Sequence, residues 1–199
     1  GIRRWPVPSS EPDFVRVAFN DIDALDAALA EPTAAVILET VPATAGFPRP
    51  DPEYLPAVRQ FCDQTGALYI ADEVQTGLGR SGHMWAVDHF GVAPDILVTG
   101  KGLSGGIYPI AATLLSERAG AWIESDGWSH VSTFGGAELG CRVAWTVLDL
   151  TERAMPDLPV QQWTEAFAGL QQKHPDWVVE VRQTGLIIGV KFAHEMGGM

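Results

Sequence analysis

Ala67-Leu68-Tyr69-Ile70-Ala71-Asp72-Glu73-Val74-Gln75-Thr76-Gly77 runs an apolar stretch straight into two acidic residues and then a glycine. The stretch reads as a buried strand bounded by turn chemistry. Pro94-Asp95-Ile96-Leu97-Val98-Thr99 reads as a second strand and runs into Gly100-Lys101-Gly102. Ala35-Val36-Ile37-Leu38 reads as a third and ends at Glu39. Helical patterns over 21–29, 51–64 and near 85–90 alternate with these strands, and 110–115 reads as a further strand. That alternation predicts an α/β fold: a mostly parallel sheet with helices on both faces. In such a sheet the carboxyl ends of the strands share the edge where ligands bind. Asp72 and Lys101 are therefore predicted to converge there, with Glu39 at the end of the preceding strand.

The helices carry recognisable signals. Asp21 is placed to cap the first, with Ile22, Leu25 and Leu29 on one face. Asp51 is expected to cap the second, with Pro52 in the first turn, where its missing N–H costs nothing. Residues 76–82 form a glycine-rich loop. A long helical pattern covers 136–152 through Leu139, Val143, Val147 and Leu150. Pro156 and Pro159 then interrupt the chain and mark a domain boundary. A helix over 161–173 follows, then two strands, 177–181 and 186–192, around Thr184-Gly185. Residues 1–20 read as Pro-rich and irregular.

Composition narrows the function. The 199 residues suffice for one domain, or for one domain and part of another. A formal net charge of -12 argues against nucleic acid or an anionic membrane as partner. No stretch approaches the roughly 18 apolar residues of a membrane span. Residues 1–6 lack the apolar core of a signal peptide. The two cysteines, Cys62 and Cys141, show no CxxC spacing and are expected to be buried free thiols in a reducing cytosol. The histidines (His83, His89, His130, His174 and His194) show no metal-ligand spacing, so no metal is expected.

Lys101 is one of three lysines, with Lys173 and Lys191. It alone sits between two glycines directly after a buried strand. The glycines allow a ligand to approach, and the apolar run is expected to put the amine near a low-dielectric site. A desolvated lysine has a depressed pKa and serves as nucleophile and base. A strand ending in Asp-Glu also fits a nucleoside triphosphatase. That requires G-x-x-x-x-G-K-[ST], and here Asp95 stands at the first glycine and Gly102 at the Ser/Thr.

Val36-Ile37-Leu38-Glu39, the run from Ala71 through Gly82, Pro94-Asp95-Ile96-Leu97, the run from Gly100 through Gly106, and Ser132-Thr133-Phe134-Gly135-Gly136 together resemble the class III aminotransferases. These are a branch of the fold-type I pyridoxal-phosphate enzymes. Val181-Arg182-Gln183-Thr184-Gly185-Leu186 is similar to the family's small-domain strand pair. The resemblance runs through essentially the whole chain in the family's order. It implies the large cofactor-binding domain over 1–155 and the start of a small α+β domain over 156–199. Lys101 would form the Schiff base with pyridoxal 5′-phosphate and move the proton during transamination. Asp72 would hold the pyridine nitrogen protonated, and Gln75 would bond the phenolic oxygen. Val74 would pack on the ring, a role compatible with a plain core valine. Thr133 would reach the phosphate bound by the partner subunit, which implies a homodimer; ordinary turn chemistry is its alternative. Glu39 would lie on the substrate side. Glu73 and Arg80 are expected to form a structural ion pair or loop contacts.

The chain departs from the family's E-P-x-x-x-E-x-G stretch, with Thr40 for the proline and Thr44 for the second glutamate. In many relatives that glutamate pairs with an arginine that binds and releases substrate carboxylates. The family's phosphate loop and ring-stacking aromatic fall upstream of this chain, and its carboxylate-binding arginine falls downstream. The resemblance therefore implies an internal fragment lacking both ends. It implies a cytoplasmic transaminase acting on a small amine and an oxo compound. An aminomutase, decarboxylating transaminase or racemase on the same scaffold stays open, as does a non-catalytic relative.

Overall fold

The computed structural model describes residues 14–193 except 127 and 129. The irregular segment read over residues 1–13 and His194 lie outside the described residues. Helix α1 (Ile22–Leu29) begins as predicted, with Asp21 Oδ1 accepting from the Ala24 amide at 2.9 Å. Strand β1 (Ala35–Glu39) follows, then α2 (Tyr54–Thr65), which ends at Gly66 in the left-handed region. Asp51 does not cap α2. The helix starts later, at Tyr54 with Glu53 in the cap position, because the Asp51 carbonyl already closes a turn with the Tyr54 amide at 3.0 Å.

Strands β2 (Leu68–Asp72), β3 (Ile96–Thr99) and β4 (Ala112–Leu115) complete a four-stranded sheet in the order β1-β2-β3-β4. The first three strands are parallel and β4 is antiparallel, so the sheet is mostly parallel as predicted. Alternation sets its two faces. Tyr69, Ala71 and Leu97 point to one side, where Leu25 and Leu29 of α1 and Tyr54, Leu55, Val58 and Cys62 of α2 close over them. On the other side Ile37 is 61% exposed among the described residues, and Ile70 and Ile96 are half-buried.

Helix α3 (Glu117–Ser125) has no counterpart in the sequence reading. Its apolar positions lack a clear stripe and Gly120 interrupts it, so its start is set by Ser116, whose Oγ accepts from the Ala119 amide at 3.3 Å. Helix α4 (Glu138–Ala154) and helix α5 (Val160–Lys173) flank the predicted proline break. Strands β5 (Val178–Thr184) and β6 (Ile187–Phe192) pair as a separate antiparallel hairpin.

Two clasps hold these pieces. At the amino edge of the sheet Asp95 accepts from the Tyr69 amide and from Arg59 of α2, each at 2.8 Å, and Arg118 of α3 lies 3.3 Å away. Burial alone would raise the Asp95 carboxyl. The Tyr69 amide and the two guanidinium groups outweigh it and hold it below the ordinary carboxylate range. At the opposite edge the β5–β6 turn docks on the glycine-rich loop. Leu186 N donates to Arg80 O at 2.8 Å, and a Cβ on Gly185 would meet Ser81 C at 2.2 Å. Arg182 of β5 also donates to Gly46 O at 2.9 Å.

Candidate active site

The register places Glu39 opposite Asp72 and Asp72 opposite Val98. Three strand ends therefore stand in one row, about 5 Å apart from strand to strand. Asp72 Oδ1 accepts from the Val74 amide at 3.0 Å, a local turn that fixes the carboxylate. Its Oδ2 has no hydrogen bond among the described residues. Glu39 Oε2 accepts from the Ala43 amide at 3.1 Å.

Lys101 opens a short 3-10 turn, Lys101–Ser104, immediately after β3. Its backbone has φ +44°, the left-handed region that non-glycine residues avoid. Lys101 is exposed rather than desolvated, since it stands in the turn beyond β3 and not within the apolar strand itself. A Cβ on the flanking Gly100 would make ordinary contacts with Ala111 Cβ at 3.5 Å and Val74 Cγ1 at 3.9 Å, so Gly100 lies beside the loop that carries Val74. Gln75 is half-buried, and neither its amide nor the Lys101 amine has a hydrogen bond among the described residues. Asp72, Val74, Gln75 and Lys101 therefore lie at or just beyond the carboxyl ends of the adjacent parallel strands β2 and β3. Thr133 lies in the exposed loop before α4, and among the described residues no hydrogen bond joins it to that edge.

Of the two arrangements expected for Glu73 and Arg80, an ion pair or loop contacts, the structure has loop contacts. Among the described residues it forms no ion pair with Arg80. Its fully buried carboxylate accepts from Thr40 Oγ1 at 2.8 Å, from the Val87 amide at 2.9 Å and from Thr76 Oγ1. Arg80 Nη2 donates instead to Val74 O at 3.0 Å. Burial pulls the Arg80 guanidinium below its usual value, and the Glu73 charge opposes that. The signal that could have located Glu73 was the Asp-Glu pair itself. Successive strand residues face opposite sides, so with Asp72 at the ligand edge Glu73 must turn inward.

One smaller expectation also changes. Cys62 is buried as predicted, and burial pushes its thiol up to about 11, but Cys141 is exposed on α4. His83 and His89 are linked to one another. Arg49 can only donate, so its 2.9 Å contact leaves His89 Nε2 as acceptor and His89 Nδ1 as donor to His83 Nε2 at 3.2 Å.

A mostly parallel sheet whose carboxyl edge carries an acid and a lysine on adjacent strands is the frame of the fold-type I pyridoxal-phosphate transferases. The chain belongs to one branch of that class, the class III aminotransferases, whose family profile matches residues 6–197. It is 47% identical over 198 residues to an uncharacterised aminotransferase of Archaeoglobus fulgidus, covering 98% of this chain and 47% of that protein. It is 40% identical to a putrescine aminotransferase of Pectobacterium atrosepticum, covering 95% of this chain and 42% of that protein. Among solved structures, ornithine aminotransferase from Plasmodium yoelii superposes with a TM-score of 0.83 at 33% identity, over 92% of this chain and 49% of that one. An amine transaminase from an uncultivated Pseudomonas species, solved with pyridoxal phosphate bound, superposes with a TM-score of 0.77 at 37% identity, over 86% and 41%. The chain thus spans under half the length of these relatives. Class III aminotransferases depend on pyridoxal phosphate.

Proposed function

We propose that this chain carries the cofactor-binding centre of a pyridoxal-phosphate-dependent transaminase. The observation that carries the reading is the row of strand ends Glu39, Asp72 and Val98, with Lys101 three residues beyond Val98. The residues present fit the cofactor. A carboxylate oxygen, an amide and an amine stand at one edge, each with bonding capacity unspent among the described residues. They suit a ring nitrogen, a ring oxygen and an aldehyde carbon.

When bound, the cofactor supplies an electron-withdrawing ring that stabilises the charge left on the substrate carbon. Asp72 Oδ2 would hold a proton on the pyridine nitrogen, while its Oδ1 is held by the Val74 amide. Lys101 Nζ would hold the cofactor and, when free, would serve as the base for a proton on the substrate carbon. Gln75 would donate to the ring oxygen, Val74 would lie against the ring, and Glu39 would lie toward the substrate.

Thr133 serves the phosphate held by the partner subunit, so the working unit is a homodimer. Exposed apolar residues around it support a protein contact there: Trp128, Val131, Phe134 and Leu139. Two separate sheets on either side of the prolines at 156 and 159 support a large-domain portion over 1–155 and the start of a small domain over 156–199. A cytoplasmic setting accords with the free thiols. Relatives named for putrescine and ornithine support a small primary amine as donor, with an oxo compound as acceptor. Thr44, where many relatives carry a glutamate, favours a second reading in which the same centre runs an aminomutase, decarboxylation or racemase reaction.

The test is borohydride reduction of the full-length protein with pyridoxal phosphate, followed by peptide mapping. The label is expected on Lys101, and Lys101→Ala is expected to lose both label and transamination. A wild type that takes up no cofactor would sink the reading. Turnover of an amine without any oxo product would select the second reading.

A further inference from the structure

We infer that Glu73 is a positioning residue for this site, setting Glu39, Asp72 and Gln75 together through one buried carboxylate. The inference rests on the cofactor-binding reading above. A carboxylate with no solvent contact must find all its partners inside the protein. The partners of Glu73 come from three separate segments: Thr40 after β1, Thr76 in the glycine-rich loop, and Val87 in the turn that follows it. Each candidate ligand-facing group sits one position before a group on this carboxylate. Glu39 precedes Thr40, Asp72 precedes Glu73 itself, and Gln75 precedes Thr76.

Glu39 and Asp72 are the last residues of β1 and β2, where fixing one residue fixes the opposite aim of its neighbour; Gln75 and Thr76 are adjacent in the turn that follows, where holding Thr76 restrains the backbone that carries Gln75. The buried row Thr40, Glu73 and Thr76 thereby sets the facing row Glu39, Asp72 and Gln75. The main chain reinforces the clamp, since Glu73 N donates to Val98 O at 2.8 Å and Gly77 N donates to Glu73 O at 2.9 Å. The two hydroxyls are rotors and cannot fix each other. The carboxylate is their one common acceptor. A side chain that only filled the core would need burial and satisfaction, but no such match with three neighbouring ligand-facing groups.

The experiment uses full-length protein saturated with pyridoxal phosphate and reads kcat together with the pH midpoint of the bound cofactor's absorption. Misplacement on the order of 1 Å costs about 10²-fold in rate. Glu73→Ala is expected to lower kcat at least about tenfold and to move the absorption midpoint, even where it is folded and saturated. Glu73→Gln keeps the shape and can still bond all three partners, so it is expected to recover most of kcat and the wild-type midpoint. Should Glu73→Ala fail to fold, Thr76→Val removes one hydroxyl at constant shape and is expected to shift the midpoint in the same direction. A folded Glu73→Ala, or a folded Thr76→Val in its place, with wild-type kcat and midpoint overturns this inference alone. A wild type without a cofactor band overturns it together with the reading on which it rests.

Discussion

Lys101 is one of four non-glycine residues with positive φ among the described residues, and the only one at a strand end facing the site. A left-handed backbone costs a non-glycine residue about 1–2 kcal/mol. The turn after β3 carries that cost at its first residue, Lys101. Lys101→Gly should separate the two effects. Glycine relieves the strain but adds about 0.5–1 kcal/mol of chain entropy to the unfolded state, so the terms nearly cancel. The expected outcome is a Tm within a few degrees of wild type, measured by thermal unfolding, with covalent cofactor attachment abolished. The residue types at this edge were legible in the sequence because each follows a short apolar run. The strained φ of Lys101 was not, since nothing in Gly-Lys-Gly forces the lysine rather than a glycine into that region.

The elements are joined by contacts that no local pattern announces. Asp95 gathers α2, β2, β3 and α3 through Arg59, Tyr69 and Arg118. Removing it leaves Arg59, whose side chain is only 17% exposed, without its inward partner. Asp95→Ala is expected to cost about 2–4 kcal/mol in urea unfolding at neutral pH. The pH dependence has a definite sign. The folded-state pKa lies below the unfolded value of about 4, so the unfolded chain binds more protons in that window. The Asp95 contribution is present above about pH 4 and is lost as pH falls through the folded value. The variant should lack that part of the acid dependence. The β5–β6 hairpin depends on Gly185 in the same way. Its φ is +60°, and an added Cβ would meet Ser81 C and Gly82 N at 2.2 and 2.4 Å. Gly185→Ala is expected to destabilise by about 2 kcal/mol or more and to expose the hairpin to limited proteolysis. Thr184-Gly185 was legible as a turn, but the loop it docks on, about a hundred residues earlier, was not.

At the scale of the whole molecule the proposed homodimer makes a prediction of its own. If Thr133 serves the neighbouring subunit's site, Lys101→Ala and Thr133→Ala proteins, each impaired, should regain activity when unfolded and refolded together. A mixed dimer then holds one site with both residues intact. Recovery approaching a quarter of wild-type turnover is expected for random pairing of equal amounts, and no recovery above the sum of the parents would place Thr133 in its own subunit's site. The sequence by itself determined the mostly parallel sheet, the glycine-rich loop and the positions of Asp72, Gln75 and Lys101. These follow from short-range signals: apolar runs, turn residues and the two-residue period of a strand. Only the tertiary structure decided that Glu73 bonds Thr40, Thr76 and Val87 instead of Arg80, that Asp95 is the clasp at the far edge, and that Gly185 is pressed against Ser81. Those outcomes depend on which distant segments a buried polar group can reach once the chain has packed, and chain propensity does not encode that choice.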